Sequence, residues 1–256
     1  MNRPLDGIRV VALEQYMSGP YCSMLLADAG AEVIKIERPG LGDPRRLIPP
    51  FAEKGEKKKA GGFMAYNRNK KSLALNIGPD SGKKVFLDLV EKADVVVENL
   101  RPGSVDKMGM GHETLKKINP ELIYAAISGF GRLDGFKGPD SHRPAFDIVA
   151  EAMSGIMDLV GYDDKPPSWT IYGMADIYSG LCTAYGIMQA LFMRERTGKG
   201  QFVDSSMLDN MISLNERMVM LYSITGLEPK RGRLKHLFPR GAFPCKDGYI
   251  ALNIPD

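Results

Sequence analysis

Asp176 is the residue of this chain best suited by type and surroundings to covalent chemistry. It stands in the run Ser168-Trp-Thr-Ile-Tyr-Gly-Met-Ala-Asp-Ile-Tyr-Ser-Gly-Leu-Cys182, and the segment around it is mostly apolar, with Met174, Ala175, Ile177, Leu181 and Ala184 close in sequence. A carboxylate among such neighbours has to be satisfied, and two roles would do so. Asp is a favoured N-cap residue, and a helix is predicted to begin here. The other role is nucleophilic. A carboxyl with an ordinary pKa of about 3.9 is ionised near neutrality. It can attack an activated carbonyl without a base to deprotonate it, and a nearby helix N-terminus would keep it ionised. Spacing alone leaves both roles open.

Other residues with chemistry are less pointed. Lys54, Lys57, Lys58 and Lys59, followed by Arg68, Lys70 and Lys71, form a basic cluster. It reads either as a solvated face or as a site for a phosphorylated ligand. The three cysteines, Cys22, Cys182 and Cys245, have no metal-ligand spacing and leave an odd count, which suits a reducing compartment without a disulfide framework. His112, His142 and His236 are too scattered for a metal site, so none is expected. A net charge of +3 on 256 residues gives no argument for nucleic acid. The start has no apolar leader, and no run approaches the roughly 18 apolar residues of a membrane span. The expectation is a cytoplasmic enzyme with no membrane or nucleic-acid partner.

These residues need a scaffold. Strands are predicted over residues 8–13, 32–37, 72–77, 94–98 and 122–128, with helices over 19–29, 79–93 and 104–118 between them. The alternation specifies an α/β fold with a parallel, doubly wound sheet flanked by helices. Such sheets bind ligands beyond the carboxyl ends of their strands. Three loops leave those ends: Arg38-Pro-Gly-Leu-Gly-Asp-Pro-Arg-Arg, Asn99-Leu-Arg-Pro-Gly and Gly129-Phe-Gly-Arg. None completes a G-x-G-x-x-G dinucleotide fingerprint, since Asp134 stands at the third glycine position of the last. The second half is more helical, with helices over 146–159, 172–196 and 207–222 and a short strand over 201–205. A basic connection, Pro229-Lys-Arg-Gly-Arg-Leu-Lys-His, then leads to a hairpin over 241–252 turning at Asp247-Gly248. Two short strands do not make a stable unit. The expectation is that the chain is truncated, or that its last segment leans on something else.

Several stretches then carry a resemblance, in order along the chain. They are Pro4-Leu-Asp-Gly-Ile-Arg-Val-Val with Ser18-Gly-Pro, Gly30-Ala-Glu-Val-Ile-Lys-Ile-Glu-Arg-Pro-Gly, and Asn67-Arg-Asn-Lys-Lys-Ser-Leu-Ala-Leu. Ala93-Asp-Val-Val-Val-Glu-Asn-Leu-Arg-Pro-Gly, Arg143-Pro-Ala-Phe-Asp with Ala152-Met-Ser-Gly, and Arg196-Thr-Gly-Lys-Gly-Gln follow. Together they resemble the family III CoA-transferases of the CaiB/BaiF type. The resemblance implies a large Rossmann-like domain over 1–225, with 226–256 as the linker and first hairpin of a smaller α+β domain. It implies an interlaced homodimer in the full-length protein, coenzyme A thioesters and carboxylic acids as substrates, and no tightly bound cofactor. Asp176 falls on the family's catalytic aspartate, which works through mixed-anhydride and aspartyl-CoA thioester intermediates. Carried over by position, the CoA contacts are Arg38, Leu73, Ala74, Asn99, Leu100, Arg101 and Lys107.

The departures from the family pattern bear on the chemistry. The related α-methylacyl-CoA racemases have a histidine where this chain has Phe146, and a phenyl ring cannot exchange an α-proton. His142, four residues upstream in a proline-flanked loop, is a poor substitute. Formyl-CoA transferases usually have a glutamine where Met17 stands and a glycine-rich covering loop that nothing here matches. Family members commonly have a glutamine where Glu151 stands. Tyr16, Met17, Phe130, Phe146 and Glu151, with Met174, are read as the lining of an acyl pocket. Transfer is thus expected ahead of racemisation, with a noncatalytic CoA- or nucleotide-binding protein, in which Asp176 merely caps a helix, as the remaining alternative.

Overall fold

The computed structural model describes residues 3–54, 57–231 and 240–254. Its strands are β1 (Arg9–Leu13), β2 (Glu32–Glu37), β3 (Phe51–Lys54), β4 (Lys57–Ala60), β5 (Lys70–Ala74), β6 (Val95–Glu98), β7 (Ile123–Ser128), β8 (Phe202–Ser206), β9 (Arg240–Cys245) and β10 (Gly248–Asn253). Six of them form one sheet in the order β5-β2-β1-β6-β7-β8, every neighbouring pair parallel. Parallel strands need crossovers, and helices supply them. The helices are α1 (Ser18–Asp28), α2 (Gly61–Asn67), α3 (Asp80–Val90), α4 (Ser104–Lys107), α5 (His112–Ile118), α6 (Asp147–Met153), α7 (Ile156–Leu159), α8 (Met174–Thr197), α9 (Met207–Leu214) and α10 (Glu216–Thr225).

The strand sequences explain why both faces are covered. Val95, Val96 and Val97 are successive and all fully buried, so each face of β6 must meet apolar partners. Val10, Ala12, Val95, Val97 and Ile123 face a core shared with Leu26 of α1, Ile187 of α8 and Met211 of α9. Val11, Leu13, Val96 and Tyr124 face the opposite core, with Phe86 and Val90 of α3 and Leu115 of α5. Each buried valine or leucine stabilises the fold by about 1.5–3 kcal/mol relative to exposure.

Several expectations shift. The third strand of the main sheet starts at Lys70 rather than Ser72, because Val33 to Glu37 of β2 pair with Lys70 to Ala74. The helix read over 104–118 is two, α4 and α5, and the one over 146–159 is also two, α6 and α7. Each break follows left-handed backbone, at Gly109 and Gly155 respectively. The third long helix breaks at Asn215, and its second half runs on to Thr225. In the last hairpin Gly248 pairs with Cys245, so the two turn residues are Lys246 and Asp247 rather than Asp247 and Gly248. Part of the basic connection, residues 232–239 with His236, lies outside the described residues. No described helix is long and apolar enough to cross a membrane.

The lysine run forms an unanticipated hairpin of β3 and β4, in which Glu53 lies opposite Lys58 and pairs with it at 3.0 Å. Its neighbours are engaged too. Arg68 pairs with Asp28, Lys71 with Glu32, and the buried Lys70 ammonium lies 2.8 Å from the buried Glu14. These ion pairs weaken the reading of the cluster as a phosphate site, since each opposing carboxylate already screens its cation.

Candidate active site

Asp176 is the third residue of α8, and its side chain does not cap the helix. The N-cap is Gly173, in left-handed backbone, and it has no side chain to offer. Instead Asp147, the first residue of α6, accepts the orphan N–H groups. Its Oδ1 takes Ala175 N at 2.7 Å and Asp176 N at 3.1 Å, and its Oδ2 takes Gly173 N at 3.3 Å. A helix start leaves its first N–H groups unsatisfied, and a buried carboxylate from another helix is a strong acceptor for them. Capping is therefore done by one aspartate, which frees the other.

One turn further along α6, Glu151 is fully buried. It accepts Trp169 Nε1 at 2.9 Å, the Thr170 hydroxyl at 2.6 Å and Thr170 N at 3.2 Å. Residues 147 and 151 are four apart and so share a helix face. Between them they hold both the loop that leads into α8 and the start of α8 itself. Glu151, read from sequence as pocket lining, is thus engaged with the protein's own backbone and side chains.

Gly173 is needed for space as well as for backbone angle. Its φ is +87°, and an added Cβ would lie 2.2 Å from Cε of the buried Met17. Gly173→Ala is expected to cost about 1–3 kcal/mol in urea unfolding, from positive φ and overpacking together. In a double-mutant cycle, Gly173→Ala should cost less in a Met17→Ala background than in the wild type. Equal costs in the two backgrounds would leave the backbone angle as the whole cause.

Gly180 brings α1 against α8. A Cβ there would meet the Ser18 carbonyl oxygen at 2.7 Å, so only glycine permits this approach. One turn upstream, the same contact sets Ser18 beside Asp176, where its hydroxyl lowers the pKa of the carboxyl. Ser18 Oγ is in turn held by Asn99 Nδ2 at 3.0 Å. Asn99 also donates to the Gln15 carbonyl and accepts from Gln15 N, both at 2.8 Å. Its side chain ties the end of β6 to the loop after β1, so a ligand would meet Asn99 through its backbone.

The electrostatics favour a reactive carboxylate. Burial pushes the Asp176 carboxyl up to about 6, and the charge of Asp147 adds to the rise; Ser18 and Arg45 oppose it. Desolvation and the like charge outweigh the helix N-terminus. At pH 7 the group is still about nine-tenths ionised. Such a carboxylate, poorly hydrated but charged, is a competent nucleophile.

The remaining predicted residues divide into groups. Leu73 and Ala74 end β5, Arg38 follows β2, and Asn99, Leu100 and Arg101 follow β6. The strand order puts all of them on one rim, around the β1 loop that holds Tyr16 and Met17. Arg38, Arg101 and Lys107 are exposed there. Leu100 packs against the α3 side of the core, its N–H bonded to Glu98. Tyr16, with φ +63°, meets the exposed ring of Phe146 edge to face at 6.2 Å. Phe130 is buried, with Arg143 over its ring. His142 faces a separate cavity of about 650 Å³ lined by His112, Tyr124, Arg132 and Phe202.

Sequence reasoning missed Asp147, Ser18 and Arg45. Two acids four apart in the helix of Asp147 and Glu151 were a legible signal for a buried clamp. Ser18 and Arg45 had no signal of their own, since their partners lie far along the chain.

A family model described as CoA-transferase family III matches residues 5–256. A succinyl-CoA:mesaconate CoA-transferase of Haloarcula marismortui is 47% identical over 254 residues, which are 97% of this chain and 63% of that protein. A succinyl-CoA:glutarate CoA-transferase of Mus musculus is 40% identical over 254 residues, 98% of this chain and 56% of that protein. The crystal structure of a CaiB/BaiF family protein from Brucella suis superposes with a TM-score of 0.90 at 39% identity, covering all of this chain and 67% of that one. The chain spans less than two thirds of the length of these two curated relatives.

Proposed function

We propose that this chain, which belongs to CoA-transferase family III, carries the nucleophile and CoA-binding rim of an enzyme that moves CoA between carboxylic acids. The observation that carries the reading is a half-buried Asp176 carboxylate relieved of capping by Asp147.

In the first step an Asp176 oxygen attacks the carbonyl carbon of an acyl-CoA, and the C–S bond breaks. This yields a mixed anhydride and CoA thiolate. The thiolate attacks the aspartyl carbonyl, forming aspartyl-CoA thioester and expelling the donor acid as its carboxylate. The acceptor carboxylate then attacks that thioester, giving a second anhydride and thiolate. Attack of the thiolate on the acceptor carbonyl yields the new acyl-CoA and restores Asp176. Each intermediate keeps the thioester's free energy away from water. No deprotonation is needed, which suits a site with no imidazole at Phe146.

In this reading CoA lies over the rim, with Arg38, Arg101 and Lys107 meeting its phosphates and Leu73, Ala74, Asn99 and Leu100 lining its path. Tyr16, Met17 and Phe146 border the acyl group, and the donor and acceptor are short dicarboxylic acids, as the relatives' names suggest. Residues 1–225 would form the large domain, and 226–256 the start of a smaller one. The assembly is a homodimer; α8 supports this by exposing Leu181, Tyr185, Met188 and Phe192 along one stripe.

The test is to incubate the full-length protein with succinyl-CoA and hydroxylamine and map the adduct by mass spectrometry. A hydroxamate on Asp176 is expected. Loss of α-deuterium from a 2-methylacyl-CoA with no adduct would replace transfer by racemisation, and CoA binding with neither would leave only a binding protein.

A further inference from the structure

Arg45 is a buried cation that forms no ion pair among the described residues. It lies on the short 3-10 turn Pro44–Leu47 and is only 7% exposed. The turn is rigidly rooted: Asp43 caps it through Arg45 N at 2.9 Å and is itself paired with the buried Lys35 at 2.8 Å. The Arg45 side chain then runs toward α8. Its Nη1 donates to the Tyr172 hydroxyl at 2.9 Å, one residue before the helix cap Gly173. Its Nε is buried without a hydrogen-bond partner. The guanidinium lies against Gly62, where an added Cβ would come 2.5 Å from Nε.

The neighbouring bases differ. Arg46 pairs with Glu37 at 2.7 Å, Lys35 with Asp43, and Lys70 with Glu14. Among the described residues no carboxylate lies within ion-pair distance of Arg45. A buried charge without a partner is costly if nothing answers it. Asp176 feels this cation but is not paired with it.

We propose that Arg45, oriented by Tyr172, binds the free distal carboxylate of a dicarboxylic acyl group while its other carboxyl reacts at Asp176. The inference rests on the transfer reading and assigns its specificity. Once one carboxyl has become a thioester or an anhydride, a monocarboxylic acyl group has no charge left for Arg45. A dicarboxylic one always keeps a carboxylate, and a guanidinium matches it in shape as well as charge. An acyl chain ending in methyl would instead close apolar surface over an unanswered cation.

The experiment compares succinyl-CoA with butyryl-CoA, which has a methyl in place of the carboxylate, as donors for the full-length protein. The wild type should prefer succinyl-CoA. Assayed at about pH 8.5, where Asp176 stays ionised without the Arg45 charge, Arg45→Gln should lower kcat/KM for succinyl-CoA at least about 30-fold more than for butyryl-CoA. Tyr172→Phe, at an exposed residue with little risk to folding, should give a smaller loss of about 5-fold with the same selectivity. Equal losses with both donors, or a wild type indifferent to the carboxylate, would overturn the assignment while labelling of Asp176 still stood. Failure of every donor to label Asp176 would instead sink the transfer reading, and this inference with it.

Discussion

Asp176→Asn is expected to lower CoA transfer by at least about 10⁴-fold while raising the melting temperature. The two effects have one cause. The carboxylate that would attack the thioester is held in a poorly solvated place beside Asp147, and its pKa rises from 3.8 to about 6. A group whose pKa is higher in the folded state binds protons more tightly there. The folded state therefore loses stability as pH rises from about 4 through about 6, and the penalty is fully present at neutrality. Its size is roughly 1–3 kcal/mol. Asparagine keeps the shape, cannot ionise, and removes the penalty. For a domain of this size the gain is roughly 2 °C or more at pH 7.5, fading toward pH 4. Differential scanning fluorimetry across pH 4–8, with a transfer assay on the same preparations, would read both. A large fall in melting temperature at pH 7.5 would mean that Asp176 is structural after all. The wild type's transfer rate should also fall on an acid limb near pH 6, where the nucleophile takes up a proton.

The second large effect belongs to the partner acid. Asp147→Ala is expected to destabilise the protein by about 2–4 kcal/mol, because it removes a helix cap and strands buried N–H groups of residues 173, 175 and 176. Activity should fall with it, since the start of α8 carries the proposed nucleophile. Asp147→Asn separates charge from scaffold: one side-chain oxygen can still accept, but the negative charge beside Asp176 is gone. Its acid limb is expected to move below pH 6, toward the ordinary carboxylate range, with a milder loss of stability. An acid limb unmoved in this variant would leave burial as the sole cause of the raised pKa.

Much of the scaffold was legible before any coordinates. The strands β1, β2, β6 and β7 are short apolar runs between turn signals, and alternation with helical patterns implied parallel pairing. Helix breaks at Gly109, Gly155 and Asn215 were missed because the apolar period continues across them. The start of β5 was missed because Lys70 does not look like an interior residue, and only its pairing with Glu14 makes it one.

For the site, the residues alone determined that Asp176 lies in an apolar segment at a helix start, and that the loops after the strands at 32–37 and 94–98 share one rim. They left open whether that aspartate caps or reacts, because both roles ask for the same residue at the same place. Tertiary structure removed the capping role and leaves the nucleophilic one as our proposal. Asp147 is 29 residues away in sequence, and only the packing of α6 on α8 brings its carboxylate under the helix start. Arg45 reads in sequence as one more loop cation, and only its burial, with no ion pair among the described residues, supports the ligand role we propose for it. Local sequence specifies backbone and burial tendency, whereas a carboxylate's partners, and hence its charge state and availability, depend on residues the fold brings from elsewhere.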